Sequence, residues 1–394
     1  MTIRNLMATL LAGGLLCAAS AGAQASDYKV GIVAAFSGAY AQWGQSYKRE
    51  IDLYMLQHNG RDGNPKINLI LRDAPGTDVA RTKQIVQEFI TRDDVSVAGG
   101  GEFTPEAFAV ADLVTEAKVP WVVFNGATSS IVDKSPYIVR IGNTNWQPTV
   151  PIAQYAAKHG CTHATLIITD YAPGADSIEA FKYGFMGAGG KQVDVIKVPI
   201  GTTDFSAYMQ KAKDYKPQCL YPFLPGGPMV LGYVHAYVDS GLSKTVPNYG
   251  TAETSENYLP AIGDAALGLV TAWYYSPYLD NPMNKSFIAG LKKADPQVLD
   301  KYITTFGYDG MEIIFHMLKA TKGERDGDKA IAAIKGYSWV GPSGPMSIDP
   351  KTRDNVRNIF IRKVVKENGL MYNKAFETIP AVHDQWHDLH APKS

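Results

Sequence analysis

Four short stretches carry the residues best suited to hold a ligand: residues 37–44 (SGAYAQWG), 99–106 (GGGEFTPE), 125–130 (NGATSS) and 169–174 (TDYAPG). Glycine recurs in all four beside hydroxyl or amide side chains, and Tyr40, Trp43, Phe103 and Tyr171 add aromatic surface. Glycine-bearing loops ahead of helices often hold phosphate on backbone N–H groups. The nucleotide patterns fail here. Gly99 and Gly101 begin a G-x-G-x-x-G series, but Thr104 stands at the third glycine position, and no G-x-x-x-x-G-K run occurs. There is no G-x-S-x-G elbow either, since residues 341–344 (GPSG) have the wrong spacing. No cofactor is expected. The chemistry left is capture of a small organic anion. Unpaired N–H groups and the positive end of a helix dipole hold a carboxylate without lysine or arginine, while Tyr40 and Trp43 cover an apolar body. His383 and His387 lie four apart, with His390 nearby, a spacing that suits a metal on a helix. At a chain terminus they read instead as a solvated tail, so no metal ligand is expected.

The elements around these stretches decide whether they meet. Residues 30–36 form a continuous apolar run, the pattern of a strand buried on both faces of a parallel sheet. Tyr47, Ile51, Tyr54, Met55 and His58 then recur at helical spacing until Asn59 and Gly60 stop them. A strand over 67–71 follows, then a helix capped by Asp78, a strand over 95–98, a helix over 105–118 and a strand over 119–124. The rhythm restarts after residues 143–148, with helices predicted over 152–159, 177–186, 205–212 and 229–238. Strands are predicted over 164–169, 193–198 and 219–223. Such βαβ winding gives parallel sheets with helices on both faces. Ligands bind such sheets beyond the carboxyl ends of the strands, where all four stretches lie. Residues 143–148, 274–277 and 342–354 read as crossovers between two α/β halves.

Whole-chain features narrow the class. The 394 residues carry 38 basic and 38 acidic side chains with no basic run, so nucleic acid is an unlikely partner. Arg4, the apolar run over residues 6–19 and the small residues Ala21, Ala23 and Ala25 predict a signal peptide over 1–25. That run is shorter than the ~20 residues a bilayer span needs. Beyond it only Cys161 and Cys219 remain, too few for a disulfide scaffold.

Six segments in order resemble the periplasmic substrate-binding proteins of ABC importers, in the group of the branched-chain amino acid binding proteins: FSGAYAQWGQ, VPWVVFNGAT, ITDYAPGADSIEAF, GDAALGLVTAWYY, FGYDGME and GPSGPMSIDPKTRD. The resemblance implies an α/β fold of the type I periplasmic binding class: two doubly wound parallel-sheet lobes joined by three crossover strands. Lobe 1 would comprise residues 26–143 and 276–346, and lobe 2 residues 144–275 and 347–394. It implies a periplasmic monomer that captures a small molecule between the lobes and delivers it to membrane permease subunits. Trp43, Thr104, Gly126, Ala127, Thr128 and Tyr171 fall at matching ligand positions, with Tyr40 and Phe103 beside them. Glu253 falls near the acid that holds a ligand ammonium. Glu102 departs from the family's serine-rich stretch, and would repel a carboxylate or bind an ammonium or amide. The expected ligand is a small, partly apolar carboxylate, first a hydrophobic amino acid; the alternative is an aromatic acid or a short amide. An exported enzyme or a ligand sensor is the reading from another class. In sheets of strand order 2-1-3-4-5, Cys161 and Cys219 flank neighbouring strands at one end, so a disulfide or close thiol pair is expected away from the cleft.

Overall fold

The computed structural model describes residues 28–390, so the expected signal peptide lies outside the described residues. The chain opens with β1 (Tyr28–Ala34), α1 (Ala41–His58), β2 (Ile67–Asp73), α2 (Val79–Thr91), β3 (Val97–Gly100), α3 (Thr104–Ala117), β4 (Trp121–Val123) and β5 (Ile138–Arg140). These strands pair in parallel in the order β2-β1-β3-β4-β5. Residues 30–34 are buried on both faces. Ile32 points into the cluster that holds Tyr47 and Ile51 of α1, and Val33 into the one that holds Val86 and Phe89 of α2. Each such buried side chain stabilises the fold by ~1.5–3 kcal/mol. Asp78 caps α2 by accepting from the Arg81 N–H at 2.9 Å.

The second half runs α4 (Trp146–Lys158), β6 (His163–Thr169), α5 (Ala172–Gly187), β7 (Gln192–Val198), α6 (Ser206–Asp214), β8 (Cys219–Phe223), α7 (Pro228–Asp239), β9 (Tyr249–Gly250), α8 (Leu259–Ile262) and β10 (Val270–Trp273). Its strands repeat the winding. β7-β6-β8 pair in parallel, a Leu220–Asn248 bridge brings β9 beside β8, and β10 pairs with β9. A Cys161–Cys219 disulfide joins the starts of β6 and β8, with Cα atoms 6.0 Å apart. Helices α4 and α5 begin five or six residues earlier than the sequence pattern suggests. Pro148 and Pro173 sit in their first turns, where a missing N–H leaves no helical bond unmade, so proline starts these helices instead of excluding them.

Next come α9 (Pro282–Ala294), α10 (Phe306–Thr321) and α11 (Gly327–Ile334), of which α9 and α10 pack back on α1. Strands β11 (Ser338–Gly341), β12 (Gly344–Ile348), β13 (Asn355–Glu367) and β14 (Leu370–Val382) precede α12 (Trp386–His390). The start of β13 pairs with β12 and its middle with β10, so one strand ties the returning segment to the second sheet. Three buried arginines fasten this crossing region. Arg140 donates to Asp354 at 2.6 Å, Arg357 lies 4.2 Å over the Tyr274 ring, and Arg362 donates to the Tyr275 carbonyl at 2.6 Å.

The C-terminal segment departs from the expected solvated tail. Trp386 packs on Trp146, Val150 and Ala180. His387 Nε2 lies 3.2 Å from Asp354, and His390 Nε2 lies 3.0 Å from Glu179. Asp354, Asp384 and His387 do converge, with ligand-type atoms within 4.8 Å of one another. The Arg140 guanidinium, 2.6 Å from Asp354 and 3.9 Å from Asp384, already supplies a positive charge there. His383 is turned aside to Asp388. Among the described residues no helix is long and apolar enough to cross a membrane.

Candidate ligand site

Tight packing at two glycines brings the helix starts to the strand ends. A Cβ on Gly44 would collide with the Ala35 carbonyl, and one on Gly174 with the Thr169 carbonyl. The first turns of α1 and α5 therefore lie directly against the ends of β1 and β6. Between the two sheets, at these ends, is a cavity of about 70 Å³ measured for the centres of water-sized groups. A single water needs roughly 10–15 Å³ on that measure, so there is room for one small molecule and not for a nucleotide.

Trp43, Glu102, Phe103, Thr104, Ala127 and Tyr171 line the cavity, and thus all four loops contribute or adjoin it. The loops also brace one another. Thr104 Oγ1 accepts from the Thr128 N–H at 3.3 Å, and Asn125 Nδ2 donates to the Glu102 carbonyl at 2.9 Å. Tyr40, Gly126, Thr128 and Glu253 are not in the lining. The Tyr40 ring stands edge-on to Phe103 with centroids 4.8 Å apart, which holds Phe103 in place from behind. The Gly126 carbonyl accepts from Arg140 at 3.0 Å, and the Thr128 carbonyl from the same arginine at 2.6 Å. Glu253 turns back on its own loop and accepts from the Thr251 N–H at 2.6 Å. Burial pushes its carboxyl up to about 7.

Other lining residues come from places the sequence patterns did not mark. Asn143 and Asn145 lie in the first crossover, Leu224, Pro225 and Gly226 follow β8, and Thr251, Ser255 and Tyr258 come from the loop before α8. Trp273 and Tyr302 complete an aromatic wall, with Trp43 edge-on to Tyr302 at 4.8 Å. The stretch FLPGGP after β8 obeys the strand-end rule that marked the other four loops, so that rule would have found it. Tyr258 has no such signal. It reaches the site because its hydroxyl accepts from Gln42 Nε2 at 2.7 Å and from the Gly227 N–H at 2.6 Å. Gln42 belongs to α1 and Gly227 to the loop after β8, so this hydroxyl joins the two sides of the cleft. The Ser129 N–H to Asp176 at 2.8 Å and the Asn145 N–H to the Ala127 carbonyl at 2.9 Å are further links across it.

The electrostatics are unusual for an anion site. No lysine, arginine or histidine stands among the described lining residues. Glu102 is the one acid there, and it is buried. Its Oε1 accepts from the Ala35 N–H at 2.8 Å, and its Oε2 has no hydrogen-bond partner. Burial, then the neighbouring Glu106, pushes the Glu102 carboxyl well above its ordinary value. Glu106 accepts from the Glu102 and Phe103 N–H groups at 2.8 and 2.7 Å and from Thr82 at 3.1 Å. With three donors against one, Glu106 is the better stabilised of the two as an anion, and Glu102 is the one that burial and its neighbour hold back from ionising.

Comparison with known proteins places this architecture. The family described as periplasmic binding protein matches residues 27–369. The Leu/Ile/Val-binding protein homolog 6 of Brucella melitensis is 41% identical over 364 residues, which cover 91% of this chain and 93% of that protein. A solute binding protein of an ABC transporter from R. palustris, solved in complex with 4-hydroxybenzoate, is 41% identical with a TM-score of 0.87, covering 91% of this chain and 98% of that one. Its counterpart from Rhodopseudomonas palustris BisB5, in complex with 3,4-dihydroxy benzoic acid, is 39% identical with a TM-score of 0.84 over the same shares. A leucine binding protein from Thermotoga maritima, 21% identical with a TM-score of 0.75, shares the fold. The chain belongs to the periplasmic binding protein family, as a solute-binding protein of an ABC transporter.

Proposed function

We propose that this protein captures a hydroxylated aromatic carboxylate in the periplasm and presents it, as a monomer, to membrane permease subunits. The observation that carries the reading is the composition of the cavity wall. Trp43, Phe103, Tyr171, Phe223, Tyr258, Trp273 and Tyr302 surround a space sized for one small molecule. Stacked and edge-on rings suit a planar aromatic body. A hydrophobic amino acid would need a carboxylate for its ammonium. Glu253, the acid expected in that role, is engaged with Thr251 and lies outside the lining, and Glu102 carries a proton. A buried ammonium without an anionic partner costs several kcal/mol. The ligands of two relatives near 40% identity, 4-hydroxybenzoate and 3,4-dihydroxy benzoic acid, are of the same class. Family members bind solutes and do not transform them, which favours transport over catalysis.

A thermal-shift screen tests the reading with 4-hydroxybenzoate, 3,4-dihydroxybenzoate, benzoate, leucine, isoleucine, valine, phenylalanine and short amides. A ligand at a hundred times its dissociation constant stabilises by ~2.7 kcal/mol. Shifts with the hydroxybenzoates and none with the amino acids are expected. Shifts with leucine or valine alone would overturn the proposal.

A further inference from the structure

An acid in a cavity meant for an acid poses a problem: two carboxylates in contact repel. The structure points to a resolution that rests on the ligand class proposed above. We propose that Glu102 meets the ligand as a neutral carboxylic acid, donating a hydrogen bond from Oε2 to an oxygen of the aromatic acid, and that this proton makes the site select against amines. Three observations carry it. Glu102 lines the cavity and is 1% exposed, and its Oε2 has no partner. Its Oε1 is already occupied as an acceptor by the Ala35 N–H, so the proton belongs on Oε2. Both charged groups acting on it disfavour ionisation: Glu106 at the start of α3 and Asp73 at the end of β2 are acids. No cation stands among the described lining residues to draw the proton away.

A neutral acid offers one O–H donor. A ligand carboxylate or phenolate oxygen satisfies that donor and raises the affinity of Glu102 for its proton further. An ammonium has no lone pair to accept it and leaves both donors unpaired.

The test uses the full mature protein with 4-hydroxybenzoate, benzoate and leucine as probes, titrated calorimetrically near neutral pH and at alkaline pH. Glu102→Gln keeps the shape, the acceptor for Ala35 and a donor, but never ionises. It should bind the aromatic acids within about fivefold of wild type, and unlike wild type should keep that affinity at alkaline pH. Glu102→Leu keeps bulk without a donor and should bind at least tenfold more weakly. Unliganded melting temperatures near wild type identify variants that fold. A hundredfold loss in a folded Glu102→Gln, or a folded Glu102→Leu that binds as wild type does, would overturn the Glu102 assignment while leaving the ligand class intact. Wild-type protein that binds leucine and neither aromatic acid would overturn both.

Discussion

At the scale of single residues, the side chains that matter divide by what their polar atoms are already doing. Trp43 is 7% exposed, edge-on to Tyr302, with an Nε1 that has no partner, so it is free to act on a ligand. Glu253 is not free, because it accepts from the Thr251 N–H and lies outside the lining, and a glutamine there keeps an oxygen for that bond. Trp43→Ala should therefore weaken 4-hydroxybenzoate by on the order of 1–3 kcal/mol through lost apolar contact. Glu253→Gln should change that affinity by less than threefold. Isothermal titration of both variants checks the pair, and a large loss in Glu253→Gln would place an ammonium-bearing ligand back in the cleft. Trp43, Phe103, Thr104 and Tyr171 were marked in the sequence by strand ends and helix starts, whereas Ser255, Tyr258, Trp273 and Tyr302 were not. The role of Glu102 was not. Residue type suggests a charge, and only the placement of its two oxygens, Oε1 on the Ala35 N–H and Oε2 buried without a partner, raises the question of a proton.

At the scale of elements, the parallel winding was legible because a strand buried on both faces must be largely apolar, as residues 30–34 and the Leu166–Ile168 centre of β6 are. The C-terminal segment was not. The tail that looked solvated is held by Trp386 and His387, and the arginines of the crossing region, which no sequence pattern marked, are buried against carbonyl and carboxylate partners. The disulfide shows how topology turns distant sequence into neighbours: Cys161 and Cys219 are 58 residues apart but begin adjacent strands. Closing a loop of that length in the unfolded chain stabilises the fold by ~4 kcal/mol on the chain-entropy account. The seven residues of β6 span about 20 Å, which separates the bridge from the cavity. Cys161→Ser with Cys219→Ser should lower the denaturation midpoint markedly and leave 4-hydroxybenzoate affinity unchanged. A comparable loss of affinity would show that the bridge shapes the cleft.

At the scale of the whole molecule, buried carboxyls set how stability depends on pH. Burial pushes Glu50, Glu106 and Glu253 up to about 7 from an ordinary value of 4.5, and Asp176 up to about 6 from 3.8. For each, the unfolded chain loses its proton first as pH rises, so the native state binds more protons between the two values and stability falls across that window. His387 acts in the same direction. The hydrogen bond to Asp354 raises it above 6.5 against the opposing effect of burial, so its contribution is full below that value and fades as pH climbs through the raised one. Asp354 is lowered by Arg140 despite its burial, and its contribution is lost only in acid below about 3.8. Between pH 5 and pH 8 the first group dominates. The melting temperature should therefore be higher at pH 5 than at pH 8, with most of the fall complete by about pH 7.5. Glu50 offers the sharpest internal control. It accepts from Ser46 at 2.6 Å, from the Thr304 N–H at 2.9 Å and from the Gly307 N–H at 2.7 Å, where it holds the start of α10 against α1. Glu50→Gln keeps an acceptor there and cannot ionise, so its melting temperature should fall less than that of wild type over the same range. Calorimetry in matched ionic strength reads both curves. A wild-type melting temperature that rises from pH 5 to pH 8 would mean that these acids are ionised in the native state at little cost.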